Sequence, residues 1–378
     1  MSRETSQSTV SRARATELVP QADPARRLNR FRPAIDVAVR RVLDSGCLLL
    51  GPEIAAFEAE FARYLGARHA VAVSSGTSAL SIALAALGIG AGDEVIVPAL
   101  TAPATANAVC RAGAIPIFAD VDPVTRTLDP GAVEAAIGPR TTAIVPVHLH
   151  GIPAAMAAIL DIAARRGVPV IEDCAQAHGA SIDGRMLGTM GHAAAFSFYP
   201  TKNLGAAGDA GAIVTSDPAV AERARRMRSH GLDDHGVATM VGETGRMDEL
   251  QAAILRVLLP HLDEANAERR ALAARYCHEL SDLQIGLPPW HDGAAYHQFA
   301  VLVEQRDEVQ ARMAERGVLT GIHYARALHQ HPAFAQDGRT LPVAEHLCTR
   351  LLSLPIQPEV ATGRIAQVVA CLKASLGG

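Results

Sequence analysis

The sequence predicts an α/β protein: a three-layer α/β/α large domain built on a mostly parallel sheet, followed by a small C-terminal α+β domain. Three observations carry this reading. Between about residues 70 and 216, short β-branched or apolar runs alternate with Ala-rich stretches of helical length, the pattern of repeated β-α units. Several of the helical stretches have a proline near their first turn, where its fixed φ suits the helix and its missing N–H costs nothing. Beyond Asp217 the texture changes to charged helical segments, and from about residue 283 short strands mix with helices.

Taken in order, the polar stretch 1–18 has no apolar run and is expected to be a disordered tail rather than a secretory leader. Residues 19–258 then form the large domain and 259–378 the small one. Within the large domain the runs 70–73, 94–98, 114–121, 141–149, 168–173, 193–199 and 211–216 read as strands. The stretches 78–87, 103–112, 130–137 and 153–166 read as the helices between them, covering both faces of the sheet. Past the sheet a long helical pattern is interrupted by Pro260, which should kink or split it.

Composition excludes several function classes. The 35 Lys and Arg against 39 Asp and Glu give a net charge of −4, which exerts no general pull on nucleic acid. The six cysteines are scattered without a C-x-x-C pair, which fits a reducing cytoplasm better than a disulfide framework. Residues 69–92 carry no Asp, Glu, Lys or Arg, yet Ser74-Ser75-Gly76-Thr77-Ser78 interrupts them, so they read as strand, turn and helix and not as a membrane span. His148 and His150 lie two apart, without the third ligand a metal requires, and no metal is expected.

In an open α/β sheet, ligands bind beyond the carboxyl ends of the strands. Three reactive places fall there. The Ser74–Ser78 turn opens a helix, where unpaired N–H groups and hydroxyls suit a phosphate or serve simply as an N-cap. Glu172-Asp173 closes an apolar strand, where an acid needs a cationic ligand group or a set of backbone amides. Lys202 follows an apolar strand inside a glycine-rich turn, where the amine is either lowered in pKa for imine chemistry or an ordinary loop lysine. A phosphate, a pyridinium and an aldehyde together describe one cofactor, pyridoxal phosphate.

The blocks SSGTSALSIALAALGIGAGDEVIVPALT, GAIPIFADVDPVTRTLDP, EDCAQAHGA, FSFYPTKNLGAAGDAGAIVT and RMDELQAAILRVLLPHLD resemble, in this order, the DegT/StrS nucleotide-sugar aminotransferases, which are fold type I pyridoxal phosphate enzymes. DSGCLLLGPEIAAFEAEFARYLG, GIHYARALH and LLSLPIQP extend the resemblance from about Val19 to the C-terminus. It implies that Lys202 bonds the cofactor and then shuttles the proton, that Asp173 pairs with the pyridine nitrogen, that Ala175 packs on the ring and that Gln176 lies near its phenolic oxygen. It also implies that Ser197 and Gly76-Thr77-Ser78 hold the phosphate. Tyr199, His323 and Tyr324 are assigned to the substrate side, the last two being equally readable as structural residues.

The sequence departs from the family pattern at four places. Ala102 stands where an aromatic stacks on the cofactor, and Thr244 where an Asn from a neighbouring subunit reaches the phosphate. Ala210 replaces a turn glycine and His150 a tyrosine.

The implied activity is transfer of an amino group from L-glutamate to a nucleotide-linked keto-deoxyhexose. Asp209 favours carbon 3 of a dTDP-3-keto-6-deoxyhexose, with a 4-keto nucleotide sugar or a keto-cyclitol as alternative acceptors. A non-catalytic regulatory relative is the alternative of another class. The resemblance further implies a cytoplasmic homodimer with shared active sites, to which the loop from Ser229 to Gly245 contributes.

Overall fold

The structure, a computed structural model, describes residues 18–335 and 338–377. The expected tail over 1–18 lies outside the described residues apart from Leu18. Three helices lead into the sheet: α1 (Pro24–Arg30), α2 (Arg32–Ser45) and α3 (Pro52–Leu65), each with proline in its first turn. Then follow β1 (His69–Val73), α4 (Gly76–Ala86), β2 (Glu94–Pro98), α5 (Pro103–Arg111), β3 (Ile115–Ala119), α6 (Pro130–Ala136), β4 (Thr141–Ile144), α7 (Met156–Arg166) and β5 (Ile171–Asp173). A short hairpin, β6 (Ser181–Ile182) and β7 (Arg185–Met186), precedes β8 (Ala193–Ser197), β9 (Gly211–Thr215), α8 (Pro218–Met227) and α9 (Glu249–Leu258). The chain closes with α10 (Leu262–Glu279), β10 (Phe299–Leu302), α11 (Arg306–Glu315), α12 (Pro342–Arg350), β11 (Leu351–Leu354), α13 (Pro358–Ala361) and α14 (Ile365–Leu376).

One set of hydrogen-bonded strands runs β1-β9-β8-β5 and the other β3-β2-β4. Parallel bridges from Ile144 to Val170 and from Val147 to Asp173 join them edge to edge. Only β9 runs against its neighbours, β1 and β8. Its connection explains this: residues 198–210 contain no crossover helix, so the chain can return only antiparallel. That irregular connection is the one that carries Lys202.

Alternation along the strands builds two cores. Val71, Val73, Ala195 and Ile213 pack toward α4, α5 and α8. Ala70, Ala72, Phe196 and Val214 pack toward α3 and α9, and Ile96, Ile144 and Val170 toward α6 and α7. Three layers result, as the sequence predicts. A separate cluster, with Tyr276, Phe299, Val301, Met313, Leu352, Val368 and Leu372, holds α10, α11, α14 and the β10-β11 pair together and also takes in Val19 and Ile152.

Several boundaries differ from the sequence expectation. The strand expected over 141–149 pairs regularly only to Ile144, and beyond Pro146 the chain continues as a looser bridge beside Asp173. The helix expected over 153–166 begins at Met156, leaving Pro153 outside it. The β6-β7 hairpin was unforeseen, although its turn residues Asp183 and Gly184, with φ of 50° and 75°, form the Asp-Gly type of two-residue turn. Pro260 does split the long helical pattern, through a tight turn at Leu259–His261. Among the described residues no helix is long and apolar enough to cross a membrane.

Candidate active site

The strand β5 ends on two acids whose side chains, being consecutive, leave on opposite faces. Glu172 is fully buried and accepts N–H bonds from Gly188 (2.8 Å), Met190 (2.8 Å) and Gly191 (2.7 Å). His148 Nδ1 accepts the N–H of Ala154 at 3.0 Å, which leaves the ring proton on Nε2, 3.2 Å from Glu172 Oε2. Burial would raise the Glu172 pKa, but the His148 and backbone bonds outweigh it and hold the group below its ordinary value. Glu172 is therefore the structural carboxylate of the two. His148, Glu172 and Cys174 place potential metal-ligating atoms within 4.8 Å of one another, yet His148 and Glu172 are committed to each other and to backbone amides, and burial pushes the Cys174 thiol up.

Asp173 faces a cavity of about 260 Å³ at the carboxyl end of the sheet. Its Oδ1 accepts the N–H of Ala175 at 3.1 Å and its Oδ2 accepts the hydroxyl of Thr105 at 2.9 Å. Burial raises its pKa, an effect that these two bonds and Lys202 oppose. A carboxylate so placed favours a cationic partner. Thr105 was missed at the sequence level. It lies one turn into α5, fully buried, and only the packing of α5 on the strand ends brings it to Asp173.

Lys202 reaches the same cavity from the loop after β8, where its N–H closes a turn on Tyr199 O at 2.8 Å. Burial pushes its amine down to about 8, with Asp173 pulling the other way. A neutral amine is thus accessible near physiological pH, as imine chemistry requires.

The opposite wall is the N-terminus of α4. Ser75 is its N-cap, and Ser75 Oγ accepts the N–H of Ser78 at 3.1 Å. This moves Ser78 away from the cavity: it is buried, with its hydroxyl bonded to those of Ser74 and Ser75. The first-turn N–H groups of Gly76 and Thr77 remain for an anion. Gly76 admits no side chain, because a Cβ there would stand 2.5 Å from Ser197 Cβ. Helix terminus and serine hydroxyl consequently form one small cup.

Other expected residues fall around the same space. Ala102, Ala175, Gln176 and Asp209 line it, and Tyr199 does so while half exposed. Gln176 is held by two bonds, its Oε1 accepting from His150 N at 2.6 Å and its Nε2 donating to Tyr324 OH at 3.1 Å. Burial and Asp173 push the Tyr324 phenol up to about 12. His323 bonds Ser353 Oγ at 2.9 Å, and burial with Lys202 lowers its ring to about 4. Thr244 is not brought to the cavity of its own chain: it is exposed, on a bridge with Ser229. His150, buried, donates its Nε2–H to His323 O at 3.0 Å, and Ala210 packs in the core.

A half-buried lysine with a lowered amine and a buried carboxylate share a cavity walled by a helix N-terminus at the carboxyl ends of a largely parallel sheet, an arrangement that suits imine chemistry in an α/β enzyme. A model of the DegT/DnrJ/EryC1/StrS aminotransferase family matches residues 30–373, and the chain belongs to that family. It is similar to the erythromycin biosynthesis sensory transduction protein EryC1 of Saccharopolyspora erythraea, with 50% identity over 94% of this chain and 99% of the relative. It is also similar to the dTDP-3-amino-3,4,6-trideoxy-alpha-D-glucose transaminase of Streptomyces venezuelae, with 46% identity over 95% and 96% of the two chains. The crystal structure of DesV of S. venezuelae in complex with a ketimine intermediate superposes with a TM-score of 0.92 at 45% identity, covering 96% of this chain and 99% of that one.

The protein is an aminotransferase, and its cofactor is pyridoxal phosphate. The cavity fits that group on its own evidence, with an anion cup that no Cβ at position 76 would leave open, a buried carboxylate short of a cation and an amine lowered by burial.

Proposed function

We propose that the protein transfers an amino group from L-glutamate to carbon 3 of a dTDP-linked 3-keto-6-deoxyhexose. The observation that carries the site is Lys202 and Asp173 sharing one buried cavity with the free N–H groups of α4. Gly76, Thr77 and Ser197 would hold the phosphate, and Asp173, oriented by Thr105 and Ala175, would hold the pyridine nitrogen in its protonated form. When bound, the cofactor supplies the aldehyde and the electron sink for the reaction. Lys202 Nζ, lowered by burial, takes the proton from the donor carbon and returns it at the neighbouring position. Tyr199 lines the cavity and Tyr324 is bonded to the cavity residue Gln176, and these two with His323 would meet the sugar. The acceptor reading draws on the S. venezuelae transaminase and on Asp209 at the cavity wall.

The functional unit is a homodimer in this reading. Leu48, Leu49 and Leu50 are each about half exposed and Val241 is 92% exposed, apolar surface of the kind that a second copy covers. Thr244 then reaches a neighbouring cavity. The boundary between cofactor-binding and C-terminal units near residue 258 is supported by the separate core around Tyr276 and Phe299. Six unpaired cysteines support a reducing, cytoplasmic setting.

The test is product analysis after incubation with pyridoxal phosphate, L-glutamate and three acceptors: a dTDP-3-keto-6-deoxyhexose, its 4-keto isomer and an unlinked keto-cyclitol. Amination of the first alone supports the reading. Preference for either of the others replaces it, and amination of none of them refutes it.

A further inference from the structure

The loop that carries Lys202 is held from outside the cavity by a residue that the chemistry does not use. Arg27, on α1, is 7% exposed and spreads its guanidinium over four carbonyls of that loop. Its Nη1 donates to Lys202 O at 2.6 Å and Asn203 O at 3.3 Å, and its Nη2 to Pro200 O at 2.6 Å and Gly205 O at 3.3 Å. These carbonyls belong to a segment without regular secondary structure, so few ladder bonds fix it. The planar fork of arginine can serve several acceptors at once, which a lysine ammonium cannot do in the same geometry. Gly205 records the fit from the other side, since a Cβ there would stand 2.4 Å from Arg27 Nη2.

The segment around Arg27 is itself tied to the C-terminal part of the chain. Asp23 N donates to Gln357 Oε1 at 2.7 Å, and Gln357 Nε2 returns a bond to Asp23 O at 2.9 Å. Val19 makes a parallel bridge with Val318, and Gln21 Nε2 bonds Gln298 Oε1 at 2.7 Å. The stretch from Val19 to Arg27 is thus a strap, with one end on the core around Phe299 and the other on the lysine loop.

We propose that Arg27 is a positioning residue for Lys202, setting the backbone from which the amine is presented, and that the strap makes this setting depend on the seating of the C-terminal part of the chain. The inference rests on the reading of Lys202 as the reacting amine. Arg27 touches neither the cavity nor its contents. It acts through the loop alone.

The experiment compares wild type, Arg27→Lys and Gln357→Ala as full chains loaded with pyridoxal phosphate, with Lys202→Ala as control. Three readouts are taken: hydrogen exchange of the amides of residues 199–206, the pH midpoint of the lysine-dependent cofactor absorption, and kcat and KM for glutamate. In Arg27→Lys, exchange should quicken by about tenfold within 199–206 and stay unchanged in β1, β8 and β9. The midpoint should move, and kcat should fall by about tenfold or more, with KM held within about twofold. Gln357→Ala should show the same pattern at smaller amplitude with every cavity residue intact, and it decides the matter if Arg27→Lys does not fold.

Unchanged exchange and midpoint would overturn the proposal, as would changes spread evenly over the whole chain with a loss of Tm. Absence of any lysine-dependent absorption in wild type would instead remove the reading of Lys202, and the positioning role with it, whatever the exchange at 199–206 shows.

Discussion

Replacing Lys202 with methionine should make the cofactor-free protein more stable at neutral pH, by an amount that depends on pH. The amine has a pKa of about 8 in the fold and about 10.5 in the unfolded chain. Because the folded value is the lower one, the unfolded chain binds more protons between these limits, and stability rises with pH across them. Below about pH 8 the full cost of burying the ammonium is present, and it is relieved as pH approaches 10.5. At about 1.4 kcal/mol per tenfold step, the cost is about 3 kcal/mol at pH 7 and about 1 kcal/mol at pH 9.5.

Methionine has similar length and no charge, so Lys202→Met removes this contribution with little change in packing. Denaturant unfolding of both proteins at pH 7, 8 and 9.5, analysed as a difference, cancels the shared groups that do not interact with Lys202. The variant's advantage should shrink by about 2 kcal/mol from the lowest to the highest pH. A difference that stays constant from pH 7 to 9.5 would refute the claim that burial lowers this amine.

Three further outcomes follow from the same geometry. Gly76→Ala should cost about 1–3 kcal/mol of stability and at least tenfold in cofactor affinity, read by unfolding and by spectral titration, because Ser197 Cα at 3.1 Å leaves the new methyl no flexible neighbour to displace. Glu172→Gln should lower stability by about 3 kcal/mol in thermal unfolding, since an amide turned toward the three N–H donors leaves buried groups unpaired. Ala102→Tyr should tighten cofactor binding by about 1 kcal/mol through ring stacking, measured by equilibrium titration.

The elements of the sheet were readable because each strand is a short apolar run and each helix an Ala-rich one, and because a doubly covered sheet needs both. Asp173 and Lys202 were readable as candidates because Asp173 closes an apolar strand and Lys202 follows one within a few residues, at the sheet end where ligands bind. Spacing could not say which of Glu172 and Asp173 faced the cavity. Strand alternation divides them between opposite faces, but only the amides at 188–191 show which face needs a carboxylate.

Ser78 illustrates the limit at a helix start. The turn was found, but the first helical residue is Gly76, so Ser78 falls one step too deep and its N–H is taken by the cap. Thr105 and Arg27 left no signal in the sequence. Each acts through a partner more than 60 positions away, which only tertiary packing supplies.

In the proposed function Lys202 is the amine that bonds the cofactor and then moves the proton. An absorbance spectrum of wild type and Lys202→Ala, each with added pyridoxal phosphate and then titrated with L-glutamate, tests it most directly. Wild type should show a long-wavelength cofactor band that glutamate converts to a shorter-wavelength one, and Lys202→Ala should show no lysine-dependent band. The same band and the same conversion in both proteins would contradict it.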